Sequence, residues 1–244
     1  MTKLKPLKES SLRVQAARTI RQAIFSGQFQ PGTQLLEMHL ARDLGVSQTT
    51  VREALVQLEQ AGLVNRIPNK GTSVTTLTPE EVRHRLTIRT LLEGLAWVSA
   101  ASRMGPQAFD HLEGLLGRIR AASEISSEKA EAELAFHRYI WERSGNPTLV
   151  RMLDLVTPPL FAFITPMRKQ QIKDVKKLDR AHEEVVIALR RGDPEELAAT
   201  LRQHLESSYG SFLEPGNLDL HLLISAAFGS RHSSNDLPPG KVSI

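Results

Sequence analysis

Apolar residues recur at helical spacing along most of this chain, and glycine and proline cut the pattern into segments. Over 11–26, Leu12, Ala16, Ile20, Ala23 and Ile24 share one face while Arg13, Arg18 and Arg21 lie outside it, which predicts an amphipathic helix. Gly27 ends it, and Pro31-Gly32 turns the chain. Leu40, Ala41 and Leu44 form a second stripe, and Val46, Val51, Ala54, Leu55 and Leu58 a third. Between these two stripes sits Gly45, a residue whose backbone can take the positive φ of a sharp turn. Ser47 fits as N-cap of the helix that follows, which runs to about Ala61 and is capped by Gly62. Leu63, Val64 and Ile67 then start a short strand, Val74 lies in another, and Pro68-Asn69-Lys70-Gly71 is the tight turn between them.

Beyond this hairpin the pattern is helical throughout. Thr78-Pro79-Glu80-Glu81 opens a helix with Thr78 as N-cap, Pro79 in the first position and acids in the first turn. The predicted helices are 79–102, 106–122 and 126–144, then one that starts at Pro147 and halts near Thr157-Pro158-Pro159, then 159–168, 170–191 and 194–213. No strand pattern interrupts them, so an antiparallel all-α bundle is expected. The fold class is therefore mainly α. A winged helix-turn-helix over 1–77 precedes an all-α domain over 78–213. Residues 214–244, rich in Gly, Ser and Pro, read as a weakly ordered tail with a short helix conceivable over 220–228.

The second helix of the helix-turn-helix exposes Gln48, Thr49, Thr50 and Arg52, none of which a core requires. Polar side chains at that end of a second helix are how such a motif reads the DNA major groove. Lys70, at the hairpin tip, is placed for phosphate or minor groove. The same pattern also fits an ordinary helical hairpin in a core. Charge favours DNA: residues 1–77 hold ten Lys/Arg and five Asp/Glu, whereas the rest holds 21 and 22, so the excess lies with the winged helix. There is no cysteine, which excludes disulfides and thiolate metal sites and suits a reducing cytoplasm. Neither a run of 18 apolar residues nor an N-terminal apolar signal segment is present, so no membrane span or signal peptide is expected.

Four residues of the helical half could hold a metal. Glu133 and His137 are four apart and share a helix face. His182 lies ten residues before Gly192 and His204 eleven after Asp193. At about 1.5 Å per residue each rises roughly 15–17 Å from that turn, so an antiparallel hairpin brings them level. Three imidazoles and a carboxylate suit a divalent cation, zinc first, with nickel, manganese or iron as alternatives, and open positions could accept a carboxylate ligand. Single histidines on helices are more often surface or core residues, and His39, His84, His111, His221 and His232 read that way. Arg89 stands in an apolar stretch with Leu86, Leu92 and Ala96. If buried it needs an anion: either a carboxylate effector or Glu93, four residues on. Tyr139 and Asn146 are further candidates for an effector pocket.

The residues AIFSGQFQPGTQL at 23–35, LARDLGVSQTTVREALVQLEQAGLV at 40–64 and NKGTSV at 69–74 resemble the GntR family of bacterial transcription regulators. IRTLLEGLAWVSAA at 88–101, ELAFHRYIWERSGN at 133–146 and HEEVVIALRRGDPEELAATLRQHL at 182–205 are similar to the FCD effector domain of its FadR subgroup. The resemblance implies a homodimer that binds a double-stranded operator and responds to a small anionic metabolite, with Arg89 in the effector pocket. This chain has Gln48 where the family commonly has Arg, and Glu133 where it usually has Asp. A metal-dependent enzyme built on the Glu/His site, or a DNA-binding protein with an inert helical dimeriser, are the alternatives.

Overall fold

A computed structural model describes residues 10–67, 71–122, 125–171 and 175–212. In chain order it contains α1 (Ser10–Phe25), α2 (Glu37–Leu44), α3 (Gln48–Gln60), β1 (Val64–Ile67), β2 (Gly71–Val74), α4 (Pro79–Ala101), α5 (Pro106–Ala121), α6 (Ser127–Arg143), α7 (Pro147–Gln171), α8 (Val175–Arg191) and α9 (Pro194–Tyr209), followed by a 3-10 turn at Gly210–Phe212. The expected winged helix-turn-helix and all-α domain are both present. Lys70 and the segment 214–244, including 220–228, lie outside the described residues.

The winged helix closes around the predicted apolar faces. Ile20 and Ile24 of α1, Leu40 and Ala41 of α2, and Val51, Ala54, Leu55 and Leu58 of α3 are buried in one core. Gly45 takes φ 64° between α2 and α3. Ser47 accepts a hydrogen bond from the Thr50 backbone N–H at the start of α3. β1 and β2 pair antiparallel, with Val64 opposite Val74 and both inward. One pairing escapes the sequence pattern. Residues 33–35 lie along β2, with Val74 N–H donating to Thr33 O at 2.9 Å and Leu35 N–H to Thr72 O at 2.8 Å.

In the helical domain α4 is the centre, packing against α6, α7, α8 and α9. Its start is a complete capping box. Glu81 N–H donates to the Thr78 hydroxyl at 3.2 Å, and Thr78 N–H donates to the Glu81 carboxylate at 2.7 Å. Asp193 likewise caps α9 through the Glu196 N–H.

The expected break at Thr157-Pro158-Pro159 is overturned. α7 runs unbroken from Pro147 to Gln171 with Pro158, Pro159 and Pro166 inside it. An interior proline costs about 3 kcal/mol in a helix that has only itself to rely on. Here Leu149, Leu153, Leu160, Phe161 and Ile164 are buried along one face, and tertiary packing offsets that cost. The Leu155 carbonyl, which Pro159 has no N–H to reach, accepts instead from Arg85 Nη1 at 3.3 Å. Over Pro147–Arg168 this helix is apolar and long enough to cross a bilayer by composition, and most of it is buried inside the protein, as a core helix would be.

The two halves are packed together. Arg21 of α1 grips Glu131 of α6 with two parallel hydrogen bonds, Nε to Oε1 at 2.5 Å and Nη2 to Oε2 at 2.8 Å. The Phe25 ring of α1 lies 6.5 Å from the Phe161 ring of α7.

Removing the α4 cap tests the first of these devices. Thr78→Ala is expected to lower stability by about 0.5–2 kcal/mol. In urea the midpoint should fall with an unchanged slope, and an unshifted midpoint would show that Glu81 alone secures the helix start.

Candidate functional site

The winged helix presents its polar side chains as expected. Gln48, Thr49 and Arg52 are exposed, and Thr50 is half-buried with its hydroxyl 2.8 Å from that of Ser47. Arg52 does not hang free. Its Nη2 donates to the Glu37 carboxylate at 2.8 Å and its Nε lies at 3.2 Å, so the first residue of α2 aims the guanidinium. Glu37 raises the Arg52 pKa, first by hydrogen bonding and then by its charge. Both groups stay in reach of solvent, and a nucleic acid can compete for the arginine.

The second site lies inside the helical domain. Lys129, Glu133, His137 and Trp141 repeat at four-residue spacing along one buried face of α6. α8 adds His182 and α9 adds His204, both buried. The three histidines each offer a ring nitrogen, and these atoms all lie within 4.8 Å of one another. His137 Nε2 and His204 Nε2 are 3.1 Å apart, and the His182 and His204 rings 4.7 Å apart. The level matching predicted across the Gly192-Asp193 turn is therefore realised. Burial first, then the neighbouring histidines and Arg89 and Arg168, hold His204 well below its ordinary pKa, so its imidazole stays neutral, the form that ligates metal.

Glu93 of α4 organises this cluster, and it is fully buried. Its Oε2 accepts from Arg89 Nε at 2.8 Å, and its Oε1 accepts from Trp141 Nε1 at 2.9 Å. The same Oε1 lies 3.1 Å from His137 Nδ1. That approach is an electrostatic contact, not an aligned hydrogen bond, and His137 Nε2 faces His204 on the other side of the ring. Burial alone would raise the Glu93 pKa; the Arg89 charge and then His137 outweigh it and bring the carboxyl down to about 2.

Other expected residues fall elsewhere. Arg89 has its internal partner in Glu93 and also donates to the Tyr209 hydroxyl at 3.3 Å, so of its two readings the structure holds the ion pair. Glu133 is buried close by, but its carboxylate accepts from Arg168 Nη1 of α7 at 2.9 Å and stands outside the converging nitrogens. Tyr139 is not brought to the cluster. Two residues beyond His137 it points about 200° around α6, where it stacks on His111 at 4.5 Å and donates to Ala108 O. Asn146 is also away from it: its side chain accepts from the Thr148 and Leu149 N–H groups at the start of α7. Sequence reasoning saw Glu93 only as a partner for Arg89, and it missed Arg168 because nothing in the proline-rich α7 segment signals which residue turns inward.

A winged helix joined to an all-α domain with a buried histidine cluster defines a class of DNA-binding regulator. Comparison with known proteins gives the family. Residues 12–74 match the family described as "Bacterial regulatory proteins, gntR family", and residues 85–207 match the FCD domain. The chain belongs to the GntR family of transcriptional regulators, with a C-terminal FCD domain. It is 29% identical over 208 residues to a probable D-xylose utilization operon transcriptional repressor of Paenarthrobacter nicotinovorans, covering 82% of this chain and 88% of that one. It is 26% identical over 214 residues to the gluconate operon transcriptional repressor of Bacillus licheniformis, covering 84% and 86%. The fold is shared with McbR/YncC of E. coli, with a TM-score of 0.66 at 24% identity over 83% of this chain and 97% of that one.

The Arg89–Glu93 pair should be costly to break from one side. Glu93→Ala leaves a buried guanidinium without its anion, and about 3–5 kcal/mol of stability should be lost. Chemical denaturation measures it; a loss below about 1 kcal/mol would mean that Arg89 is held by its ring contacts and Tyr209 instead.

Proposed function

We propose that the protein is a homodimeric, metabolite-responsive repressor of the bacterial cytoplasm. It binds operator DNA through α3, with Gln48, Thr49, Thr50 and Arg52 at the groove and Lys70 at phosphate or minor groove. It senses a small organic or sugar acid at a divalent-metal site made by His137, His182 and His204, with Glu133 as the adjacent carboxylate. The carrying observation is the burial of three converging imidazoles in a domain joined to a winged helix. Burying three ring systems with polar nitrogens is expensive unless something uses them, and nitrogen donors at this spacing suit zinc, with nickel, manganese or iron as alternatives. The names of two relatives, a probable D-xylose utilization operon repressor and a gluconate operon repressor, support a repressor, here read as one released by a small organic or sugar acid. An enzyme at this site would need a free general base. The carboxylates beside the cluster, Glu93 and Glu133, are both committed to arginines, which favours binding over chemistry.

Operator readout should depend on Arg52 and Gln48. Arg52→Ala should weaken operator binding by about 1–3 kcal/mol. Gln pairs with adenine N6/N7 while Arg prefers guanine O6/N7, so Gln48→Arg should move the preference toward guanine at one position per half-site. Selection from randomised duplexes reads the preference, and light scattering of the complex should give two chains per palindromic site. An unchanged base preference in Gln48→Arg would remove that residue from the readout.

The metal is tested separately. Protein purified without chelator should carry a divalent cation by elemental analysis, and His182→Ala should lose it while keeping operator affinity, because α3 belongs to the other half. Absence of metal in the wild type at neutral pH, together with no uptake on titration, would reduce the cluster to polar core residues.

A further inference from the structure

Among the described residues the buried ionic groups around the three histidines are all paired, Lys129 with the part-buried Asp179 included. Arg89 and Arg168 face Glu93 and Glu133 in two ion pairs, all four groups buried. The pairs are not alike. Arg89 is held at two of its nitrogens, Nε on Glu93 at 2.8 Å and Nη1 on Tyr209 at 3.3 Å; its guanidinium carbon lies 5.5 Å from the Phe161 ring centre, as that of Arg168 lies 5.7 Å from the Tyr209 ring. Glu93 in turn is tied to Trp141. Arg168 holds Glu133 through Nη1 alone at 2.9 Å, and its Nε is buried with no hydrogen-bond partner. Beside this pair is a cavity of about 10 Å³, room for one water, lined by Ser126, Lys129, Glu133, Thr165 and Arg168 among others.

We propose that Arg168 is the residue that receives the effector's carboxylate, and that Glu133 holds its charge in reserve until a divalent cation at the histidines draws Glu133 away. The inference rests on the metal reading given above. A divalent cation brings two positive charges into a buried group that is already neutral, a cost that demands a nearby anion. Glu133 is that anion. It lies one turn from His137 on the same face of α6, and two methylenes let its carboxylate swing between Arg168 and the imidazoles. Once it has moved, Arg168 is left buried without a counter-charge, and the space its carboxylate filled adds to the cavity. A carboxylate fits a guanidinium bidentately through Nε and one Nη, and here Nε is already waiting. The ligand class is a small carboxylic acid, and metal and acid bind cooperatively because each supplies the charge the other lacks.

Zinc and acetate are sufficient probes. Apo-protein prepared with a chelator is titrated with zinc in a calorimeter, in acetate and in chloride at equal ionic strength. Acetate should strengthen zinc binding to wild type roughly tenfold or more. Arg168→Met should lose this dependence yet bind zinc in chloride at least as tightly as wild type, because Glu133 no longer has a rival partner. Arg89→Met should keep it. A second measurement stands without zinc: acetate should raise the melting temperature of apo Glu133→Gln, whose Arg168 is already released, and leave apo wild type unmoved. If Arg168→Met retains the acetate effect, if wild type binds zinc indifferently to acetate, or if apo Glu133→Gln ignores acetate, the role of Arg168 is overturned while the metal site stands. If wild type binds no zinc, both fail. Should Arg168→Met not fold, the Glu133→Gln melting decides alone.

Discussion

A carboxylate with no access to water has to be satisfied completely, and Glu93 imposes that demand on the whole helical domain. Its partners come from α4 itself (Arg89) and from α6 (Trp141 and His137), so two helices must meet at one depth and one rotation. That requirement sets which face of α6 turns inward, and the same face carries Glu133 and Lys129. The α8–α9 hairpin then has to present His182 and His204 at the level where His137 already stands. Apolar packing alone tolerates small slips along a helix; a buried ion pair with a short indole contact does not.

α7 belongs to both halves of the molecule. Phe161 meets Arg89 and His137 on one side and Phe25 of the winged helix on the other. Gly62, just beyond α3 with φ +67°, sits so close to α7 that an added Cβ would meet Leu155 O at 3.0 Å and Pro159 at 3.1 Å. Only glycine suits both the left-handed backbone and that approach. Arg85 ties the start of α4 to the same Leu155 carbonyl. Pro159 thus frees a backbone acceptor of α7 for Arg85 at the place where the end of α3, the start of α4 and α7 meet. The Arg21–Glu131 pair makes a second bridge from α1 to α6. Any ligand that shifts α6 or α7 therefore acts on contacts the winged helix also uses, which is the physical continuity that coupling between a pocket and a DNA-binding surface requires.

What the sequence determined by itself were the features written in local spacing. Ser47, Gly45 and Thr78 mark their caps and turn because backbone N–H groups and positive φ have few chemical solutions. The four-residue interval from Glu133 to His137, and the near-equal distances of His182 and His204 from Gly192-Asp193, place imidazoles by helical arithmetic alone. Tertiary structure decided the rest. Pro158 and Pro159 read as a stop, yet burial of Leu153, Leu160 and Phe161 carries the helix through them. Residues 33–35 show no strand pattern because their partner, β2, is a long way along the chain. Tyr139 shares a motif with His137 but not a face. Whether Glu133 turns to a metal or to Arg168, and whether Arg89 turns to a ligand or to Glu93, depends on which charges meet in the interior. A side chain's partner there is chosen by the cost of leaving any buried charge alone, and that cost exists only once the helices have closed around it.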